Sequence, residues 1–175
     1  MAGQLHAAFL GAVLIDNRIL EELTSPLKPE HFFAPVHGRV FERIQTLIDR
    51  KAVVTPVTLK PYFETDEGLK ELGGTAYLAR LAAEATSVIN ADAYGRTIYD
   101  LAMRRQLIGI GEDMVNVAYD SPVDDSPRKQ IEEAERKLYE LAERGRTPVL
   151  ILDEAHLLAH DQLESVRMLT NHDMD

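Results

Sequence analysis

The sequence predicts an all-α fold class: a globular helical bundle, followed by a long antiparallel helical hairpin and a short strand–helix tail. Apolar residues recur at steps of three and four through most of the chain, which is the period of a helix with a buried face. Alternation of apolar and polar residues, which marks a half-buried strand, does not occur before Gly145. After Thr147-Pro148 the pattern changes to a short apolar run that is typical of a buried strand.

The globular bundle is expected to occupy residues 1–88. Periodic apolar residues bounded by Pro, Gly, Asp, Ser and Thr predict helices at 4–14 and 18–23, a single turn at 29–33, and helices at 35–50, from Thr58, at 66–72 and from Thr75. The first helix is predicted to bury one face. The fourth has two candidate caps, Thr55 and Thr58. We favour Thr58, because a cap at Thr55 would place Pro61 past the first turn, where proline kinks a helix.

The helical hairpin is expected to occupy residues 89–145. Asn90 is a good N-cap, Asp92 is well placed for the helix dipole, and no proline follows before Pro122. One helix of about 30 residues, roughly 45 Å long, is therefore predicted. A second helix is predicted to begin at Ser126-Pro127 and to end at Gly145.

The long helix carries two apolar seams. One contains Met103, Leu107, Ile110, Met114 and Val117, and the other contains Tyr94, Ile98, Leu101, Ile108, Val115 and Tyr119, with Arg105 and Glu112 as interruptions. Two seams need two partners, and the second helix can cover only one of them. The other seam must meet the rest of the chain or a second copy. The predicted interface residues are Leu101, Met103, Leu107, Ile110, Met114, Leu138 and Leu141.

The composition and the charge of the chain limit the classes of protein to which it can belong. A hydrophobic content of 45% and a charged content of 27% are typical of a globular domain. The formal net charge of −10 argues against strong direct DNA binding, for which Arg104-Arg105 and the pair Arg39 and Arg43 are the best basic candidates. Cysteine is absent, and neither a membrane span nor a signal peptide is recognisable, so a cytoplasmic location is expected.

Several separated blocks resemble the N-terminal domain of the bacterial replicative DNA helicase, the DnaB family. They are Leu10-Gly11-Ala12-Val13-Leu14-Ile15-Asp16-Asn17, Leu27-Lys28-Pro29-Glu30-His31-Phe32, Pro35-Val36-His37-Gly38-Arg39-Val40-Phe41, Val57-Thr58-Leu59-Lys60, Gly73-Gly74-Thr75-Ala76-Tyr77-Leu78, Tyr94-Gly95-Arg96-Thr97-Ile98-Tyr99 and Arg104-Arg105. The resemblance extends to about Arg144. It implies a collar domain whose hairpins pair into a homodimer, with a trimer of dimers above a motor ring, and it implies primase and a helicase loader as partners.

The tail, residues 146–175, resembles a different family. Val149 to His156 is similar to the Walker B strand of AAA-type ATPases, and the continuation to Leu169-Thr170-Asn171 is similar to the ATPase helper proteins of transposons and secretion systems. That resemblance implies that Asp153 helps to hold Mg²⁺ and that Glu154 polarises the attacking water. No phosphate-binding G-x-x-x-x-G-K-[ST] motif is found, so we expect no bound cofactor and no catalysis by this chain alone. Whether the tail is ordered stays open at this point.

Other candidate chemistry is weak. His156 and His160 have the spacing of a two-histidine metal pair, but no third ligand is placed, and a metal site is not expected. His31 and His37 are interpreted as packed or capping side chains. The leading hypothesis is a collar or scaffold domain for DNA replication. The alternatives are an ATPase fragment completed in trans by a partner that brings the phosphate loop, and a helical adaptor or decoy that joins a host helicase collar.

Overall fold

The computed structural model of the protein describes residues 2–85, 90–121 and 126–143. Within these ranges the chain forms α-helices joined by short loops, with a single 3₁₀ turn at Pro29–His31, and no strand. The helices are α1 (Ala2–Ile15), α2 (Ile19–Glu22), α3 (Pro35–Asp49), α4 (Pro56–Phe63), α5 (Glu67–Glu71), α6 (Ala76–Glu84), α7 (Ala91–Asp120) and α8 (Pro127–Glu143). The prediction of an all-helical main body is confirmed, whereas the predicted strand–helix tail lies outside the described residues.

Helix α1 is the centre of the bundle and contacts α3, α6 and α7. Its residues 9–14 are all buried, so the burial predicted for one face extends to every side of this part of the helix. The reason is visible in the sequence. Ala8 to Ile15 contains no polar side chain, and a helix that is apolar on every side is stable only when other elements surround it. The core that packs around it includes Phe32, Phe41, Ile44, Leu78 and Ile98.

Two glycines allow helices to cross closely in this core. A Cβ atom built on Gly11 would lie 2.1 Å from the carbonyl oxygen of Leu81, which places the α1 backbone directly against α6. A Cβ atom on Gly38 would lie 2.6 Å from the carbonyl oxygen of Pro29. Real Cβ contacts are never that short, so any larger residue at these positions must push two backbones apart.

Helix α4 begins earlier than predicted. Its N-cap is Thr55, whose hydroxyl accepts a hydrogen bond from the Thr58 amide at 3.2 Å, while the Thr58 hydroxyl accepts one from the Thr55 amide at 2.8 Å. This reciprocal capping box satisfies two amides that a helix start otherwise leaves unpaired. Pro61 consequently lies inside the helix, where it cannot donate a hydrogen bond. The capping box, Pro56 at the first position and the burial of Leu59 outweigh that loss.

Replacing Thr55 with alanine is expected to lower the free energy of unfolding by about 1 kcal/mol, within the usual range for a lost cap. Thr75 provides a matched control, because it is the N-cap residue of α6 but makes no side-chain capping bond. Thr75→Ala should therefore be nearly neutral. Urea denaturation of both variants, followed by circular dichroism at 222 nm, measures the difference. Equal losses for the two variants would contradict the capping account.

Three histidines are buried at the contact between α1, α3 and the 3₁₀ turn. The Nδ1 atom of His31 accepts a hydrogen bond from the Lys28 amide, and Nε2 of His37 lies 2.7 Å from the hydroxyl oxygen of Tyr77. The interpretation of His31 and His37 as packed or capping residues is therefore confirmed. His6 is fully buried 6.0 Å from the His37 ring, and neither of its ring nitrogens has a hydrogen-bond partner among the described residues.

Helix α7 belongs to the bundle over its first half only. Its buried residues are Ala91, Gly95, Ile98 and Ala102, and none of the residues from Met103 to Asp120 is buried. Those 18 residues form a projection of about 27 Å. At the start of the helix, Asp92 accepts hydrogen bonds from the amide and hydroxyl of Thr24, which lower the pKa of that carboxyl group. Asn90 is the N-cap residue, but its side chain makes no capping bond.

Helix α8 packs against the projecting half of α7. Lys137 pairs with Asp113 at 3.2 Å, and Gln130 donates a hydrogen bond to the hydroxyl of Ser121. Higher residue numbers on α8 therefore meet lower numbers on α7, so the two helices run antiparallel. Within the described ranges, no helix combines the length and the apolarity that crossing a bilayer requires.

Candidate interaction surface

The projecting part of α7, together with α8, exposes most of its large apolar side chains. Every residue from Gly111 to Asp120 is exposed, and Ala134 is the buried residue of α8. A helix that leaves apolar residues in water loses the free energy that their burial would contribute, about 25 cal/mol per Å². The exposed apolar residues here are Leu107, Ile108, Met114, Val115, Val117, Tyr119, Ile131, Leu138 and Tyr139.

Ile131, Leu138 and Tyr139 belong to α8, and the apolar residues of the projecting part of α7 lie on two sides of that helix. Ile110, Met114 and Val117 line a groove that faces α8, and we call this side the groove face. Ile108 and Val115 are each two residues from a groove-face residue, which is about 200° around a helix. They therefore point away from α8, in line with Leu101 and Tyr119. We call these four residues, Leu101, Ile108, Val115 and Tyr119, the outer stripe.

The groove face forms two adjoining pockets, of about 310 and 270 Å³. The larger one is lined by apolar residues of both helices, among them Met114, Val117 and Ile131. Asp113 and Lys137 line both pockets and pair with each other at the boundary between them. An apolar groove that carries an ion pair can accept apolar side chains of another molecule.

The bundle and the start of α7 have a counterpart among known sequences. The sequence profile of the DnaB-like helicase N-terminal domain matches residues 4–100, which is more than half of the chain. This chain belongs to the DnaB-like helicase N-terminal domain family. The family resemblance of the sequence blocks is thereby confirmed for the bundle and the first part of α7.

Relatives of known function include two DnaB proteins. The chain is 42% identical over 142 residues to the replicative DNA helicase DnaB of Rickettsia bellii, a match that covers 81% of this chain and 28% of the relative. It is 30% identical over 141 residues to the DnaB of Geobacillus stearothermophilus, covering 81% of this chain and 31% of the relative. The chain thus spans less than a third of the length of these DnaB relatives.

Solved DnaB structures share the fold. The crystal structure of the N-terminal domain of DnaB helicase from Mycobacterium tuberculosis superposes with a TM-score of 0.67 at 24% identity, covering 78% of this chain and 94% of that one. A structure of a DnaB-like replicative helicase and its interactions with primase gives a TM-score of 0.60 at 26% identity, covering 92% of this chain and 34% of that one. The helical fold is therefore that of a DnaB N-terminal domain.

The seven predicted interface residues of this DnaB-family domain all lie on α7 and α8. Leu107, Met114 and Leu138 are exposed, whereas the other four, Leu101, Met103, Ile110 and Leu141, are half-buried. Exposure makes the first three available to a partner, and the role of all seven in an interface stays a prediction.

Three exposed residues of the outer stripe were absent from the predicted interface. Ile108 is 60% exposed, Val115 is 54% exposed and Tyr119 is 85% exposed. All three belong to the second seam that the sequence shows, so the signal was present. The sequence did not show which seam α8 would cover, and the prediction favoured the seam that α8 faces.

The arginines considered as a basic patch are mostly engaged within the domain. Arg39 forms two hydrogen bonds with the carboxylate of Asp66, which holds the pKa of that carboxyl below its usual range. The guanidinium of Arg43 lies over the Tyr62 ring, and Arg105 donates a hydrogen bond to the carbonyl oxygen of His31 at 2.7 Å. A charged residue therefore occupies this position of the second seam because its hydrogen bond joins α7 to the 3₁₀ turn.

The predicted nucleotide residues, Asp153 and Glu154, lie outside the described residues, as do His156 and His160. The similarity of that segment to a Walker B strand stays a prediction. Within the ranges that the structure describes, no group of three or more His, Asp or Glu side chains is arranged to hold a metal ion.

Proposed function

We propose that this chain is the collar domain of a replicative DNA helicase of the DnaB family. In this role α7 and α8 act as a dimerising hairpin, and the assembled domains offer a surface to primase. Family membership supports the link to replication, and the exposed apolar residues of α7 and α8 support self-association. The DnaB-like structure that resembles this chain is one described with its primase interactions.

The observation that carries the proposal is the contrast between the two halves of α7. The first half is packed into the bundle, and the second half has no buried residue even though α8 lies beside it. A single copy therefore leaves most of the groove face and most of the outer stripe exposed to water. Patches of this kind on a folded domain mark association sites.

Replacing one exposed residue near each face with glutamate should disrupt self-association. In the double variant Leu107→Glu/Ile108→Glu, two buried apolar contacts of the dimer become desolvated charges. We expect the dimer dissociation constant to rise by at least about tenfold, the effect of losing an interface hot spot. Sedimentation velocity between 1 and 100 μM measures it.

Val57 provides the matched control for this experiment. It is 78% exposed on α4, in the bundle, so Val57→Glu adds a charge at an exposed apolar position away from α7 and α8. The dissociation constant of this variant should equal that of the wild type. A wild-type chain that stays folded and monomeric throughout the range would overturn the self-association proposal.

The primase part of the proposal needs its own test. Purified chain should retain the C-terminal region of the cognate primase in a pull-down, and the retained amount should be saturable. The helicase loader is the second proposed partner and can be tested in the same format. If the chain is dimeric but does not bind primase, the proposed docking of primase is wrong, whereas the proposed self-association is unaffected.

A further inference from the structure

Three buried nitrogen atoms of the bundle have no hydrogen-bond partner among the described residues. They are both ring nitrogens of His6 and the Nδ1 atom of His37. His6 is 0% exposed and His37 is 4% exposed, so neither ring is hydrated from the surface. Buried polar groups in folded proteins are nearly always paired, either with the protein or with an internal water molecule. These nitrogens therefore indicate a partner inside the bundle.

The two histidine rings are too far apart to bond to each other directly. Their centroids are 6.0 Å apart, and their planes are inclined by 85°. A ring nitrogen lies about 1.2 Å from its centroid, so the nearest nitrogens are at least about 3.6 Å apart, beyond the roughly 3.2 Å limit of a good hydrogen bond. One water oxygen about 2.8 Å from each nitrogen bridges separations up to about 5.6 Å. The placement of the rings thus excludes a direct bond and fits one bridging water.

Water suits this position whichever ring nitrogens carry hydrogen atoms. Nε2 of His37 lies 2.7 Å from the Tyr77 hydroxyl oxygen, and the direction of that hydrogen bond decides whether Nδ1 of His37 donates or accepts. Because water both donates and accepts, it can pair with Nδ1 in either state. It can pair with a donating or an accepting nitrogen of His6 for the same reason.

Two other kinds of occupant fit the cluster less well. A metal ion needs more than two side-chain ligands in a stable protein site, and the described part of the chain contains no group of three that could hold one. A small anion needs positive charge. Burial lowers the pKa of both His6 and His37, so both rings are neutral near pH 7.

The ring of Phe32 offers a contact for the second nitrogen of His6. The His6 and Phe32 rings meet edge to face, with centroids 5.3 Å apart and an interplanar angle of 67°. An N–H group that points at the face of an aromatic ring forms a weak hydrogen bond. A single water molecule can therefore serve one nitrogen of His6 while Phe32 serves the other.

We propose that His6 and His37 together bind one internal water molecule, which bridges a ring nitrogen of His6 and Nδ1 of His37. The bridge completes a polar chain through the bundle, from Tyr77 on α6 through His37 on α3 to His6 on α1. The site lies in the bundle and not on α8 or the projecting part of α7. The inference thus goes beyond the proposed function and does not depend on association between copies.

Magnetic relaxation dispersion of water ²H and ¹⁷O nuclei counts the long-lived internal waters of the whole chain. At pH 7.5, His6→Leu should contain one fewer than the wild type, because leucine forms no hydrogen bond and His37 alone is a single partner. Phe9→Leu is the matched control, since it changes another fully buried residue of α1 from one apolar side chain to another, and its count should equal that of the wild type. An unchanged count in His6→Leu would overturn the proposal.

Nuclear magnetic resonance of the ¹⁵N- and ¹³C-labelled chain locates the water. Water should give nuclear Overhauser effects to the ring C–H protons of both His6 and His37, with the sign of a bound and not of a freely diffusing molecule. A coupling through a hydrogen bond between a His6 nitrogen and Nδ1 of His37 would show a direct bond between the rings. That result would overturn the bridge.

A high-resolution crystal structure of the chain provides an independent test. We expect an isolated density peak about 2.8 Å from Nδ1 of His37 and from one ring nitrogen of His6. Crystals grown in bromide distinguish water from an anion, because bromide scatters anomalously. An anomalous peak between the two rings, or no density there, would overturn the proposal.

Discussion

Substituting alanine for Gly11 is expected to destabilise the bundle by about 2 to 3 kcal/mol, although alanine is the better helix former by up to about 1 kcal/mol. The new methyl group would lie 2.1 Å from the carbonyl oxygen of Leu81, so α1 and α6 must separate. The carbonyl oxygen of Leu81 is part of the backbone, so it cannot rotate away from the new methyl group as a flexible side chain could. The separation would loosen the packing of neighbouring core residues such as Leu78.

Gly3 is the matched control for this prediction. It lies in the same helix, and nothing lies within 4 Å of a Cβ atom built on it, so Gly3→Ala should be neutral or slightly stabilising. Urea unfolding of the two variants gives the difference in free energy. Equal stability of Gly11→Ala and the wild type would show that α1 and α6 are not held at this distance in solution.

Lowering the pH from 7.5 to 5 is expected to remove about 2 kcal/mol of stability through His6. Burial lowers the pKa of His6 to about 4 from its ordinary 6.5, with smaller contributions from the positive charges of His37 and Arg105. The unfolded chain therefore binds a proton between pH 6.5 and 4 that the folded chain excludes, so stability falls as the pH falls through this window. The full loss, about 3 kcal/mol, is reached below pH 4.

Replacing His6 with leucine should flatten this pH dependence. Neither ring nitrogen of His6 has a hydrogen-bond partner within the described residues, so the apolar replacement removes no polar contact known to hold the bundle. Urea titrations of wild type and His6→Leu at pH 7.5, 6 and 5 measure the difference. Burial also lowers the pKa of His37, which leaves a smaller residual slope in the variant. Parallel curves for the two proteins would refute the role of His6.

Most helix boundaries could be predicted because local signals set them. Pro35 opens α3 at its first position, Asp66 caps α5, and α7 has the predicted length of 30 residues. The start of α4 was missed because the reciprocal bonds between Thr55 and Thr58 were not considered, and they compensate for the cost of Pro61.

Long-range features were less predictable. The two seams of α7 have the same spacing, so sequence alone did not decide that α8 would face Ile110 and Met114 and leave Ile108 and Val115 open. The burial of His6 was also not predictable, because the sequence does not show which elements pack against the first turns of α1. It depends on where α3 and the 3₁₀ turn place the aromatic residues around it.

The continuity of α7 has a mechanical consequence. One unbroken helix provides both the core residues Ile98 and Ala102 and the projecting arm, with no loop between them to serve as a hinge. The projecting part of α7 is therefore joined to the hydrophobic core by continuous helix. A lateral force at its end is transmitted to the packing around Ile98. The projecting part can change its tilt only if the helix bends or if the bundle repacks.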